Sequence, residues 1–133
     1  IIDSFVLKTI KRFTEESNEE MPLLPEFSSD DDRRFAQDLF HATLTRDAEL
    51  RGFIRDNTRN WEFNRLAVMD VIIMQIALAE ILTFPTIPLS VTFNEYLDIA
   101  KVYSTPKSAS YINGMLDGIV KNFHEQGIVN KTR

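Results

Sequence analysis

The sequence predicts an all-α domain organised around one apolar helix, and three observations predict it. Apolar residues recur at helical spacing along most of the chain. Glycine and proline are sparse, at four and five of 133 residues, which argues against an all-β or a disordered chain. Between Arg65 and Pro85 almost every position is Leu, Ile, Val, Met, Ala or Phe, and the only ionisable residues there are Asp70 and Glu80. The length is that of one domain, and 44% hydrophobic residues can fill a sizeable core.

The elements are expected in the following order. Over residues 1–14, Ile2, Phe5, Val6, Ile10 and Phe13 fall near helical spacing, with Lys8, Lys11 and Arg12 between them. The acidic stretch Glu15–Glu20 and the prolines Pro22 and Pro25 make a solvated linker. Ser28-Ser29-Asp30 reads as a helix start, with acids at the positive end of the helix dipole. Phe35, Leu39 and Phe40 give this helix an apolar face, Thr45 or Arg46 marks a kink, and Leu50, Phe53 and Ile54 carry the stripe to about Asn57. Trp61 is expected in the next loop, packed inward.

Residues 64–84 form the central element. A helix apolar all round is a core helix or a membrane span. An Asp inside a span costs about 2.5–3.5 kcal/mol, so Asp70, Gln75 and Glu80 favour the core helix. Pro85 ends it. Pro88 suits the first turn of the next helix, which runs to about Tyr103. After a loop at Ser104-Thr105-Pro106, the last helix shows Ile112, Met115, Leu116, Ile119, Val120 and Phe123, spaced i, i+3, i+4, i+7, i+8 and i+11. Asn113-Gly114 inside it suggests a close helix approach or a kink, because Gly is disfavoured there by about 1 kcal/mol. The whole chain, 1–133, reads as a single domain. It comprises an N-terminal helix and linker (1–29), a bundle (30–126) and a tail (127–133), with about six helices in all.

Composition excludes several functions. The absence of cysteine removes disulfides, thiolate metal sites and cysteine nucleophiles, and is compatible with a reducing cytoplasm. The net charge is −5, with −4 in residues 1–60 and −1 in the rest. A self-sufficient nucleic-acid binder usually carries a basic excess, so any RNA role here needs help. No secretory signal is visible, and the start at Ile1 reads as a domain cut from a longer protein.

No residue set resembles a catalyst, a cofactor site or a small-molecule pocket. His41 and His124 are far apart and lack partner patterns. Asp30-Asp31-Asp32 lacks the spaced ligands and glycine of a calcium loop, so helix-start acids are the better reading and no metal site is expected. There is no glycine-rich phosphate loop and no nucleophile elbow. Asp70 and Glu80, ten residues apart, point about 80° apart on a helix, which argues against a paired acid–base site. Each is either satisfied inside or turned to a partner. Asn94 and Glu95, in the first two turns of their helix, are expected to bond neighbouring backbone. Lys101, Lys107 and Tyr111 are the nucleic-acid candidates. Lys107 and Tyr111 flank the start of the last helix, where phosphate binding at a helix N-terminus and base stacking on an aromatic are both available. The alternative is a solvated lysine pair and a half-buried tyrosine.

One further pattern lies in the second half. Arg65-Leu66 precedes Asp70-Val71-Ile72-Ile73 and Ala77-Leu78-Ala79-Glu80-Ile81-Leu82. Then come Pro88, Val91-Thr92-Phe93-Asn94-Glu95, Ile99-Ala100-Lys101 and Tyr111-Ile112-Asn113-Gly114-Met115-Leu116-Asp117. This ordered series resembles the NusB transcription-antitermination family over roughly Asp32–Val120. The resemblance implies an all-helical, non-enzymatic, cytoplasmic RNA-binding factor. Such a factor pairs with the ribosomal protein NusE on boxA-type RNA and works in an RNA polymerase antitermination complex. Position by position, it implies that Asp70 lies at the NusE-facing surface, with Glu80 a further family acid. It places Lys107, Tyr111 and Asn113 near the RNA path, beside Lys101. The family's arginine-rich N-terminal segment has no counterpart here and is expected upstream of Ile1, as in the longer Bacteroidetes-type members. Gln75 stands where the family usually has Arg. The resemblance leaves two other readings: the NusB-like domain of a ribosomal RNA cytosine methyltransferase, or a protein-only interaction domain. The tail Asn130–Arg133 reads as a natural chain end, which disfavours the methyltransferase.

Overall fold

A computed structural model describes residues 30–58 and 60–132, with the side chains of Asn60 and Trp61 excepted. The expected N-terminal helix with Lys8, Lys11 and Arg12, the linker after it and the inward packing of Trp61 lie outside the described residues. Among the described residues the fold is all helical, with six helices: α1 (Asp30–Thr45), α2 (Asp47–Asp56), α3 (Asn60–Phe63), α4 (Val68–Thr83), α5 (Leu89–Tyr103) and α6 (Pro106–Glu125).

α1 carries Asp30, Asp31 and Asp32 in its first turn, where carboxylates oppose the helix dipole favourably. Its buried face is Ala36, Leu39, Phe40 and Thr43, the i, i+3, i+4, i+7 pattern of one helix side. The expected kink is a full break at Arg46, whose backbone leaves helical geometry at ψ 18°. Two back-bonding threonines precede it: Thr43 Oγ1 donates to the Leu39 carbonyl at 2.7 Å and Thr45 Oγ1 to that of His41 at 2.8 Å. Such bonds tend to bend helices. α2 resumes the stripe through Leu50 and Ile54, both wholly buried. Phe53 meets Phe123 of α6 edge-on, with centroids 4.8 Å apart, an arrangement aromatic quadrupoles favour.

Three boundaries differ from the sequence expectation, the third at the start of α6. Trp61 belongs to the one-turn helix α3 and not to a loop. The central helix starts at Val68 rather than residue 64, because the Arg65 and Leu66 amides bond back to the Glu62 and Phe63 carbonyls and close α3 in a turn. α4 is then buried nearly all round, including Ile73, Met74, Ala77, Leu78 and Ala79 at full burial. It packs on α1, α2, α5 and α6 and is the axis of the bundle. Among the described residues no helix is long and apolar enough to cross a membrane.

α6 starts at Pro106, two residues ahead of the expected Ser108, because Thr105 caps it: its side chain accepts from the Ser108 amide at 2.9 Å. The predicted stripe of α6 is buried at Ile112, Leu116, Ile119, Val120 and Phe123. Gly114 does not mark a close approach: a methyl group there meets nothing within 4 Å. The tight glycine is Gly118, where the added carbon would lie 3.4 Å from Asn57 Oδ1 across the α2–α6 contact. The helix ends in a Schellman motif. Gly127 has φ 72°, its amide bonds to the His124 carbonyl, and the Ile128 amide bonds to that of Phe123.

The segment after Gly127 is docked rather than trailing. Val129 is buried. Lys131 Nζ donates to the Phe84 and Ile87 carbonyls at 2.9 and 2.8 Å, tying the segment to the α4–α5 turn. His124 Nε2 bonds the Lys131 carbonyl.

Candidate nucleic-acid interface

α4 and α5 run antiparallel, and each end of α4 presents one acid to the α5 side. Asp70, in the first turn of α4, accepts from Ser104 Oγ at 2.8 Å, just past the end of α5. Glu80 accepts from Thr92 Oγ1 at 2.6 Å and Tyr96 Oη at 3.2 Å, both on α5. Burial raises the Glu80 carboxyl above its usual range, while the two hydroxyl donors and the field of Lys131 pull it back. Glu80 is 1% exposed. The sequence left Glu80 either satisfied inside or turned to a partner, and the partner-facing reading needs correction, because its carboxylate is enclosed by its own fold.

Asp70 is placed differently. Although only 6% exposed, it lines a shallow cleft of about 290 Å³ formed where the α3–α4 turn meets the start of α6. Lys107 and Tyr111 line the same cleft, with Glu62, Arg65 and Ser108. Three residues picked separately from the sequence thus converge, because Asp70 opens α4 while Lys107 and Tyr111 occupy the first two turns of the helix that follows Ser104. Lys101 and Asn113 are not brought into it. Lys101 is exposed on α5, 4.0 Å from Asp98, and Asn113 is half-buried on α6.

The electrostatics of the cleft are mixed. Lys107 sits exposed in the first turn of α6, at the positive end of the helix dipole, where Thr105 already takes the Ser108 and Ala109 amides. An anion there meets both. The Tyr111 hydroxyl is shielded from water and has no hydrogen-bond partner among the described residues. Burial pushes its pKa up, and the nearby Glu62 and Asp70 push the same way, so it stays a protonated donor at neutral pH. The cleft therefore offers a cation, an aromatic ring and an unused hydroxyl donor above an acidic floor. Sequence reasoning missed Ser104, Glu62 and Arg65 as parts of this place. Arg65 stood in the motif series but carried no separate signal. Ser104 and Glu62 join only through the packing of α3 and α5 on the start of α4.

Gln75 is also settled by the fold. It is buried, and its Nε2 donates to Asp47 Oδ1 on α2 at 2.7 Å. A neutral amide thus holds a helix-start carboxylate where the family pattern has a cation. Among the described residues no group of three or more His, Asp or Glu is placed to hold a metal ion.

Comparison with known proteins agrees with this architecture. The family model described as "NusB family" matches residues 3–121. The transcription antitermination protein NusB of Salinibacter ruber is 40% identical over 100 residues, covering 75% of this chain and 62% of that protein. That of Chloroherpeton thalassium is 40% identical over 79 residues, covering 59% and 37%. The chain thus spans less than two thirds of the length of these two relatives. Among solved structures, the NusB of T. maritima superposes with a TM-score of 0.76 at 26% identity, over 90% of this chain and 88% of that one. A structure of antitermination factors NusB and NusE in complex with dsRNA shares the fold at a TM-score of 0.74 and 17% identity, over 91% and 94%. The chain belongs to the NusB family.

Proposed function

We propose that this chain is the RNA-binding domain of a transcription antitermination factor, non-enzymatic and cytoplasmic. In this reading it joins the ribosomal protein NusE on boxA-type RNA within an RNA polymerase antitermination complex. Membership of the family supports the class. The observation that carries the site is the convergence of Asp70, Lys107 and Tyr111 in one cleft. Lys107, at the positive end of the α6 dipole, takes a phosphate, the Tyr111 ring stacks on a base, and Asp70 with Glu62 meets the basic partner protein. Lys101 and Asn113 flank this path on α5 and α6. The net charge of −5 repels a polyanion, so affinity for RNA alone is weak, and the partner supplies the missing cations.

The test is a titration of NusE and of boxA RNA, each alone and then together, followed by fluorescence anisotropy. RNA is expected to bind the pair more tightly than either protein. A pair that gains no RNA affinity over NusE alone refutes the reading. Within it, Asp70→Asn keeps an acceptor for Ser104 while removing the charge. It should weaken NusE binding without altering the helical fold, and unchanged NusE affinity refutes the role given to Asp70.

A further inference from the structure

Arg51 and Arg55 lie four residues apart on one side of α2 and share a single aromatic ring. The guanidinium carbons are 5.4 and 4.7 Å from the Phe63 centroid. Phe63 is itself 7% exposed, held in the core by its neighbours, so the ring is a fixed platform. Cations over an aromatic face are attracted to it, and the ring restrains both side chains at once. Like charges at i and i+4 repel and destabilise a helix, and among the described residues neither guanidinium has an ion-pair partner. Two restrained cations with no anion paired to them among the described residues stand out in a chain whose net charge is −5.

Beside them opens a second cavity of about 230 Å³. Arg51 and Phe63 form one side, Leu66, Val68 and Ile72 the apolar wall, and Asn64 supplies an amide. Val68 is 75% exposed, an apolar side chain left at the mouth. This cavity and the Asp70–Lys107–Tyr111 cleft share Leu66 as a lining residue, so they adjoin across the α3–α4 turn.

We infer that Arg51 and Arg55, held on Phe63, form a second subsite for single-stranded RNA, taking backbone phosphates while an unpaired base enters the neighbouring cavity. The inference rests on the RNA-binding reading above and extends its path from α6 across the α3–α4 turn to α2. A phosphodiester fits better than an acidic peptide for two reasons. The planar guanidinium fork matches phosphate oxygens in pairs, and the adjoining pocket combines an apolar face with one amide, which suits a base with a flat surface and a polar edge.

The test measures binding of a labelled single-stranded oligouridine to the full 133-residue chain over a salt series, beside R51Q/R55Q, R51K/R55K and K107Q. Loss of two phosphate contacts should flatten the log–log salt slope by about 1.4, which corresponds to a roughly 25-fold weaker complex at about 0.1 M salt. R51K/R55K should keep the wild-type slope at lower affinity, because lysine keeps the charge and loses the stacked fork. Circular dichroism melts check that each variant folds. If K107Q weakens binding and R51Q/R55Q does not, the inference falls and the RNA reading stands. If R51Q/R55Q alone weakens it, the subsite stands and the role of Lys107 falls. If the wild-type chain binds no oligouridine at any salt, both fall. An oligoglutamate peptide is the control: if R51Q/R55Q loses that peptide but not the RNA, the site is for an acidic protein segment and the inference is overturned.

Discussion

Thr92→Val is the sharpest probe of the core, because the hydroxyl it removes serves one buried charge. Thr92 Oγ1 lies 2.6 Å from Glu80 Oε2, and both residues are at most 1% exposed. A hydrogen bond to a charged group contributes about 1.5–3 kcal/mol net. Valine replaces the hydroxyl with a methyl group worth about 0.8 kcal/mol on burial. The expected loss at pH 7 is therefore about 1–2 kcal/mol. At low pH Glu80 is protonated, the bond is between neutral groups and contributes about 0.5–1.5 kcal/mol, so the loss falls below about 1 kcal/mol. The linkage has a definite sign. Burial raises the folded-state pKa of Glu80 above 4.5, so over that window the folded state holds more protons than the unfolded one. This group's contribution to stability is greatest at or below pH 4.5 and is lost as pH rises through the folded pKa. Removing Thr92's donation raises the folded pKa further and widens the window. Urea titrations of both proteins at pH 7 and pH 4, followed by far-UV circular dichroism, measure this directly. Equal losses at the two pH values would mean that Thr92 is not serving the carboxylate charge, and would refute the argument.

Two further predictions concern the glycines inside and just after α6, and the segment that follows. Gly114→Ala should stabilise the protein by about 0.5–1 kcal/mol, since the site is open and helical. Gly127→Ala should destabilise it by about 1 kcal/mol because of its positive φ. Thermal melts that move in the same direction for both would refute this account. Lys131→Met leaves the Phe84 and Ile87 carbonyls without their shared donor and should cost about 1–3 kcal/mol. Hydrogen exchange in the 84–88 turn should rise with it, and an unchanged turn would show that the anchor is dispensable.

Much of this architecture was legible because burial writes itself into residue type. The α4 run and the α6 stripe carry their own pattern, and the bodies of both helices lie where it puts them, although both starts differ. A kink at Thr45 or Arg46 was legible from a polar pair interrupting an apolar face, but its depth, a full break, follows from the structure. The start of α4 was not, because Leu66 and Ala67 are as apolar as the helix that follows, and only the turn bonds of Arg65 and Leu66 exclude them. Gly114 misled for a similar reason: a glycine inside a helix signals freedom or contact, and the sequence does not say which. The candidate cleft was half legible. Lys107 and Tyr111 share a helix start, but Asp70 joins them only because α5 carries the chain back so that Ser104 meets the first turn of α4. Glu80 had the same residue type and the same helix as Asp70. What separates them is depth, set by where Thr92 and Tyr96 fall on a neighbouring helix.

The Lys131 anchor has a consequence for the order of events at the ribosome. Its acceptors, the Phe84 and Ile87 carbonyls, are made 47 and 44 residues before the ammonium group that bonds them. At synthesis rates of about 5–20 residues per second, the α4–α5 turn waits roughly 2–9 s for its donor. The pairing of α4 with α5 through Glu80, Thr92 and Tyr96 does not involve that donor, whereas the turn joining them does. The segment after α6 therefore acts as a fastener for the α4–α5 turn rather than as a seed for it.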